Sequence, residues 1–121
     1  MKNVVLILFV GLLTTGFTQE TKAPKVQTIE VKTSAICGEC KERIENTLNF
    51  TKGVKFAELD LETNIITIKY KTADVTDVQI KKIIADIGYH ADEVERSGEA
   101  FKNLPGCCQD PNAKCAVKKK E

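Results

Sequence analysis

Between Gln27 and Val94 the chain switches between two hydrophobic periods. Ile29, Val31 and Thr33 share one face while Thr28, Glu30 and Lys32 share the other, which is the alternation of a half-buried strand. From Cys37 to Phe50 the period lengthens. Cys40, Ile44 and Leu48 recur at intervals of four, predicting an amphipathic helix that Thr51-Lys52-Gly53 stops. Val54 to Leu61 and Ile65 to Tyr70 return to a period of two, with Ala57, Leu59 and Leu61 on one inward face and Ile66, Ile68 and Tyr70 on the other. Only Glu62-Thr63-Asn64 separates them, so they read as an antiparallel hairpin. A second helix starts at Thr76, which forms a capping box with Gln79, and carries Ile80, Ile83, Ile84 and Ile87 at helical spacing up to Gly88. Tyr89 to Val94 reads as a last short strand.

The predicted order is strand, helix, strand, strand, helix, strand. That is the split βαβ, ferredoxin-like α+β sandwich, with a four-stranded antiparallel sheet and both helices on one face. The domain is expected to span residues 26–94, and a core of that size is only modestly stable. Residues 95–121 form a Cys-containing C-terminal tail. In it Ser97 to Leu104 reads as one short helix, and the turn-rich stretch from Pro105-Gly106-Cys107-Cys108 through Cys115 runs to a Lys-rich end.

The amino-terminal stretch has a different character. Lys2 is followed by an apolar run from Val4 to Leu13, and Gly16 and Thr18 put small residues at the minus-three and minus-one positions before Gln19. Residues 1–18 therefore read as a secretory signal peptide, and residues 19–25 as a short linker containing Pro24. The apolar run is too short for a spanning helix, which needs about 20 residues. The expected product is exported, periplasmic or secreted, and not embedded in a membrane after cleavage.

Composition narrows the function. The chain carries 18 Lys plus Arg against 17 Asp plus Glu, which removes the basic footprint of a nucleic-acid binder. With no Trp, five Phe and two Tyr, the core must be built from Val, Ile and Leu. Carboxylates are scattered with no converging pair, so no acid–base site is expected and the protein does not read as an enzyme. Lys81-Lys82 and Lys118-Lys119-Lys120 read as solvated surface, and His90 as a surface residue beside a strand.

The excess is in cysteine: five residues, Cys37, Cys40, Cys107, Cys108 and Cys115. Cys37-Gly38-Glu39-Cys40 lies where the first strand gives way to the first helix. There the unpaired N–H groups and the positive end of the helix dipole favour thiolate over thiol. Thiolates are the ligands of soft ions, and a pair on such a turn can hold two-coordinate Cu(I) or supply half of a tetrahedral Zn(II) site. Thiol–disulfide exchange and an inert bridge are the competing accounts of the same pair. Cys107 and Cys108 are adjacent and strained against bridging each other. Either one of them is expected to bridge to Cys115, or Cys107, Cys108 and Cys115 form an accessory metal site or fold back to add a ligand to Cys37 and Cys40.

The element order, the CxxC on the first loop, Gly53-Val54 before the second strand, Leu61-Glu62-Thr63-Asn64 at the hairpin and Gly88-Tyr89 after the second helix resemble a heavy-metal-associated domain. Such domains occur in copper chaperones, in the amino-terminal modules of copper-transporting ATPases and in periplasmic mercuric-ion binding proteins. With export, the periplasmic mercuric type is the nearest expectation. The resemblance implies that Cys37 and Cys40 are the metal ligands and that Tyr89 tunes the site. The family's usual Gly-Met pair before the first cysteine is Ser34-Ala35 here. The expected function is binding and transfer of a soft metal ion, Cu(I) first, with Hg(II), Zn(II) or Cd(II) as alternatives. The expected partner is a metal transporter or another carrier, and the expected state is a monomer. A small thiol–disulfide oxidoreductase using the same pair is the alternative.

Overall fold

The computed structural model describes residues 25–113. The signal-peptide expectation, most of the linker, Cys115 and Lys118-Lys119-Lys120 lie outside them. Three strands, β1 (Val26–Lys32), β2 (Val54–Asp60) and β3 (Ile65–Lys71), form one antiparallel sheet in the order β1-β3-β2. Its register pairs Ile29 with Ile68 and Ala57 with Ile68, so the inward residues of all three strands line up in rows. Helix α1 (Gly38–Asn49) turns Cys40, Ile44 and Leu48 inward, and α2 (Asp77–Asp86) turns Ile80, Ile84 and Ala85 inward. All of these but Ala85 meet Val31, Leu59, Ile66, Ile68 and Tyr70 in one core. The capping box at Thr76 and Gln79 is present on both sides, the Gln79 N–H donating to Thr76 and the Thr76 N–H to Gln79.

The expected fourth strand is absent among the described residues. Ala91 makes a single bridge to Thr33 and then pairs with Val94 in a tight turn. The cause is local. Asp92 takes φ 50°, and its Oδ1 accepts from the Lys32 N–H at 2.8 Å while its own N–H donates to the Lys32 carbonyl at 2.9 Å. That pairing finishes the edge of β1 and reverses the chain before a strand can grow. The second difference is Leu61, which lies in the turn beyond the end of β2 and is 39% exposed rather than inward.

Edge strand β2 is covered from α1. The Asn49 side chain accepts from the Ala57 N–H at 3.0 Å and donates to the Ala57 carbonyl at 3.2 Å. Two residues on, Glu45 accepts from the Leu59 N–H at 2.7 Å and Lys41 donates to the Leu59 carbonyl at 2.6 Å. Backbone groups that would template another strand are thereby occupied.

After Val94 the chain forms two short helices, α3 (Gly98–Lys102), capped by Ser97, and α4 (Gly106–Gln109). They do not hang free. Leu104, Cys107 and Cys108 are buried in the same core cluster as the sheet and the two longer helices. Gly88, at φ 101°, lets the backbone of Ala100 and Phe101 lie within about 3 Å of where a Cβ would stand. No helix among the described residues is long and apolar enough to cross a membrane.

Candidate metal centre

β1 delivers the site by running into a loop that is tied at both sides. The Thr33 N–H donates to the Asn64 carbonyl at 2.8 Å, and the Ala35 N–H to Thr33 Oγ1 at 3.3 Å. Ser34 Oγ accepts from the His90 N–H at 2.9 Å, so the loop before the cysteines is joined to the segment that carries Tyr89. Cys37 is the N-cap of α1, in extended conformation, and Cys40 lies in its first turn. Two intervening residues bring their Sγ atoms to 3.4 Å.

Helix α4 adds what spacing could not reveal. Cys108 Sγ lies 4.0 Å from Cys37 Sγ, and the three sulfurs of Cys37, Cys40 and Cys108 all lie within 4.8 Å of one another. None of these three is in a disulfide. Cys40 and Cys108 are buried and Cys37 is partly exposed, so the group opens to solvent on the Cys37 side. Cys107 is not one of the three and is disulfide-bonded. The adjacent cysteines thus take different roles, and the expectation of a bridge to Cys115 concerns a residue outside those described.

Charge on the cluster is unevenly placed. Burial pushes the Cys40 thiol up, but a backbone hydrogen bond at Ile36 and the nearby Tyr89, Cys108 and Cys37 side chains outweigh it and leave Cys40 below the usual thiol range. Cys108 goes the other way, pushed up to about 12 by burial and then by the neighbouring Cys40. Tyr89 is raised by burial first, then by Cys40 and Cys108. Its hydroxyl is buried without a hydrogen-bond partner of ordinary geometry, an arrangement that leaves a donor beside sulfurs that become anionic when they bind a metal.

The remaining candidates are occupied otherwise. His90 is half-buried and its Nδ1 accepts from the Arg96 N–H at 3.3 Å. Lys81 pairs with Asp92 and Glu93, and Lys82 with Asp86.

Residues 26–90 match the heavy-metal-associated domain. This chain belongs to that family. The copper chaperone CopZ of Staphylococcus aureus (strain bovine RF122 / ET3-1) is 40% identical over 53 residues, which are 44% of this chain and 78% of the relative. Among solved structures, the water-soluble region of the P-type ATPase CopA from Bacillus subtilis superposes with a TM-score of 0.52 at 30% identity. That match covers 55% of this chain and 44% of the CopA chain. Oxidized MerP from Ralstonia metallidurans CH34 superposes with a TM-score of 0.53 over 55% of this chain and 94% of its own, and at 20% identity it shows a shared fold. Within the heavy-metal-associated domain of this chain, Ser34 and Ala35 occupy the loop before Cys37, with Ala35 fully buried. Neither residue type suggested from sequence that Ser34 would hold the Tyr89 segment in place. The fold-back of the tail onto Cys37 and Cys40 was one of the alternatives open in the sequence, and Cys108 is the residue that α4 returns to the CxxC.

Proposed function

We propose that this protein is an exported carrier of a soft metal ion, Cu(I) in the first place, which it takes up through Cys37 and Cys40 and passes to a metal transporter or a second carrier. The observation that carries this reading is the 3.4 Å pair of sulfurs at the amino end of α1, in a domain of the heavy-metal-associated family. Two thiolates satisfy the preference of Cu(I) for soft ligands. Similarity to a copper chaperone supports copper as cargo, and similarity to the water-soluble region of a P-type ATPase supports a transporter as partner. Transfer is then ligand exchange: each sulfur–copper bond to this chain breaks as one to the acceptor's thiolate forms, with no change in oxidation state. Hg(II), with the same taste for thiolate, is the second cargo on this reading. Export is supported by the apolar leader and by a disulfide at Cys107, a bond that persists in oxidising compartments.

The test is an anaerobic competitive Cu(I) titration of the full mature chain and of a Cys37→Ser, Cys40→Ser double variant. One tight equivalent in the first and none in the second is expected. Tight binding retained by the double variant would sink the proposal. A disulfide-reduction assay run beside it checks the oxidoreductase alternative, for which a rate above buffer, lost in the double variant, is required.

A further inference from the structure

The family reading accounts for two of the three sulfurs in the cluster. The third comes from outside the matched residues 26–90, 71 positions beyond Cys37 along the chain. We propose that Cys108 is a third ligand, so that the cargo ion is held by three thiolates and the tail is an arm that closes the site and is displaced during transfer. This rests on the carrier reading of Cys37 and Cys40.

Three independent features support it. The first is spacing. With metal–sulfur bonds of about 2.3 Å, sulfurs around a trigonal ion stand about 4.0 Å apart, and about 4.6 Å if the ion is linear. The Cys37–Cys108 separation is 4.0 Å and the whole cluster fits within 4.8 Å, so all three sulfurs reach one ion with small rotations of side chains. The second is burial. Cys108 is 3% exposed and Leu104 7%, so the arm is seated in the core rather than resting on the surface. The third is the Tyr89 hydroxyl, buried beside Cys40 and Cys108 without a hydrogen bond of ordinary geometry. A buried donor is costly until something accepts from it, and a metal-bound thiolate is a stronger acceptor than a thiol.

Loading then forms a Cu–S bond to Cys108 while its thiol proton leaves to water, and no electron moves. In transfer that bond breaks as the acceptor's thiolate bonds to copper, and Cys108 regains a proton. Because Cys40 and Cys108 are buried and Cys37 is partly exposed, the acceptor approaches on the Cys37 side.

The decisive experiment compares the full mature chain with Cys108→Ser, Cys108→Ala and the Cys37→Ser, Cys40→Ser double variant, loaded anaerobically with Cu(I) kept reduced by ascorbate. X-ray absorption counts the sulfurs on copper, a competing chelator gives affinity, and thermal unfolding checks the fold of each variant. Three sulfurs are expected on the parent chain and two on both Cys108 variants, with affinity weakened about tenfold or more. Two sulfurs on the parent chain itself overturn the proposal whatever the variants do, and leave the two-cysteine carrier standing. Tight binding by the double variant overturns the carrier reading and this inference together.

Discussion

The Sγ atoms of Cys37 and Cys108 lie 4.0 Å apart although 71 positions separate them in sequence. The first stands at the amino end of α1, the second in a four-residue helix beyond the family domain. What brings them together is the path of the chain after α2. Gly88 admits the backbone of α3, Leu104 fills a buried position, and the Cys107 disulfide holds the residue next to Cys108. A two-ligand loop of the kind expected from the CxxC becomes a three-sulfur group closed from one side.

Tyr89→Phe separates the energetics of the empty and loaded protein. The hydroxyl makes no hydrogen bond of ordinary geometry in the empty protein, so its removal leaves unfolding stability within about 1 kcal/mol of the parent or raises it slightly. When the sulfurs are metal-bound anions the same hydroxyl has an acceptor, and Phe then loses a hydrogen bond to a charged group. Cu(I) affinity is expected to fall by about tenfold. Thermal unfolding of the empty variant alongside a chelator competition reads both numbers, and unchanged affinity would remove Tyr89 from the site.

Ser34→Ala tests the strap that holds Tyr89 there. Ser34 Oγ accepts from the His90 N–H at 2.9 Å, and without it that donor has lost its partner in a half-buried setting. The expected cost is about 1–2 kcal/mol in chemical unfolding, with metal affinity weakened less than in Tyr89→Phe. Restoration by Ser34→Thr would identify the hydroxyl as the cause.

The periodic segments were legible because each has one apolar side: Ile44 and Leu48 on α1, Ile80 and Ile84 on α2, and Ile66 and Ile68 on β3 are all buried. Turn chemistry was legible where a side chain caps its own neighbours, as at Thr76. The last strand was not, because its fate depends on Asp92 pairing with Lys32, a contact 60 positions apart that no local pattern encodes. For Cys108 the sequence left a bridge and a fold-back onto the CxxC both open, for the same reason. Spacing within Cys37-Gly38-Glu39-Cys40 announces a local pair, whereas a ligand returned by the tail depends on how Leu104 and α3 pack. The Ser34-Ala35 pair was visible as a departure from the resembled family, but its role as a tie to His90 needed the fold.

Asn49→Ala tests the cover over the edge of β2. The side chain satisfies both the N–H and the carbonyl of Ala57, and alanine leaves both to water or unpaired. A loss of about 1–2 kcal/mol in urea unfolding is expected, with Cu(I) affinity unchanged because Asn49 is at the far end of α1 from the cysteines. At high concentration the variant is also expected to self-associate through the uncovered strand, which light scattering would register.

Gly88→Ala joins stability to the metal site. At φ 101° an L-residue is strained, and the added Cβ would stand 3.0 Å from the Phe101 backbone N and 3.1 Å from the Ala100 carbonyl carbon. These are backbone atoms of α3 and cannot rotate aside, so α3 must move away from the end of α2. The strain and the lost packing together are expected to cost about 1–3 kcal/mol in thermal or urea unfolding. Gly53→Ala is the matched control. It has a similar φ of 92° and a Cβ 2.6 Å from Asp74 Cβ, but it lies at the opposite end of α1 from Cys37. Both variants are expected to lose stability, while only Gly88→Ala shifts the path leading through Leu104 to Cys108. Sulfur coordination to copper, counted by X-ray absorption on each loaded variant, should therefore drop from three toward two in Gly88→Ala and stay at three in Gly53→Ala. Equal counts in the two would mean that α4 reaches the cluster independently of α3.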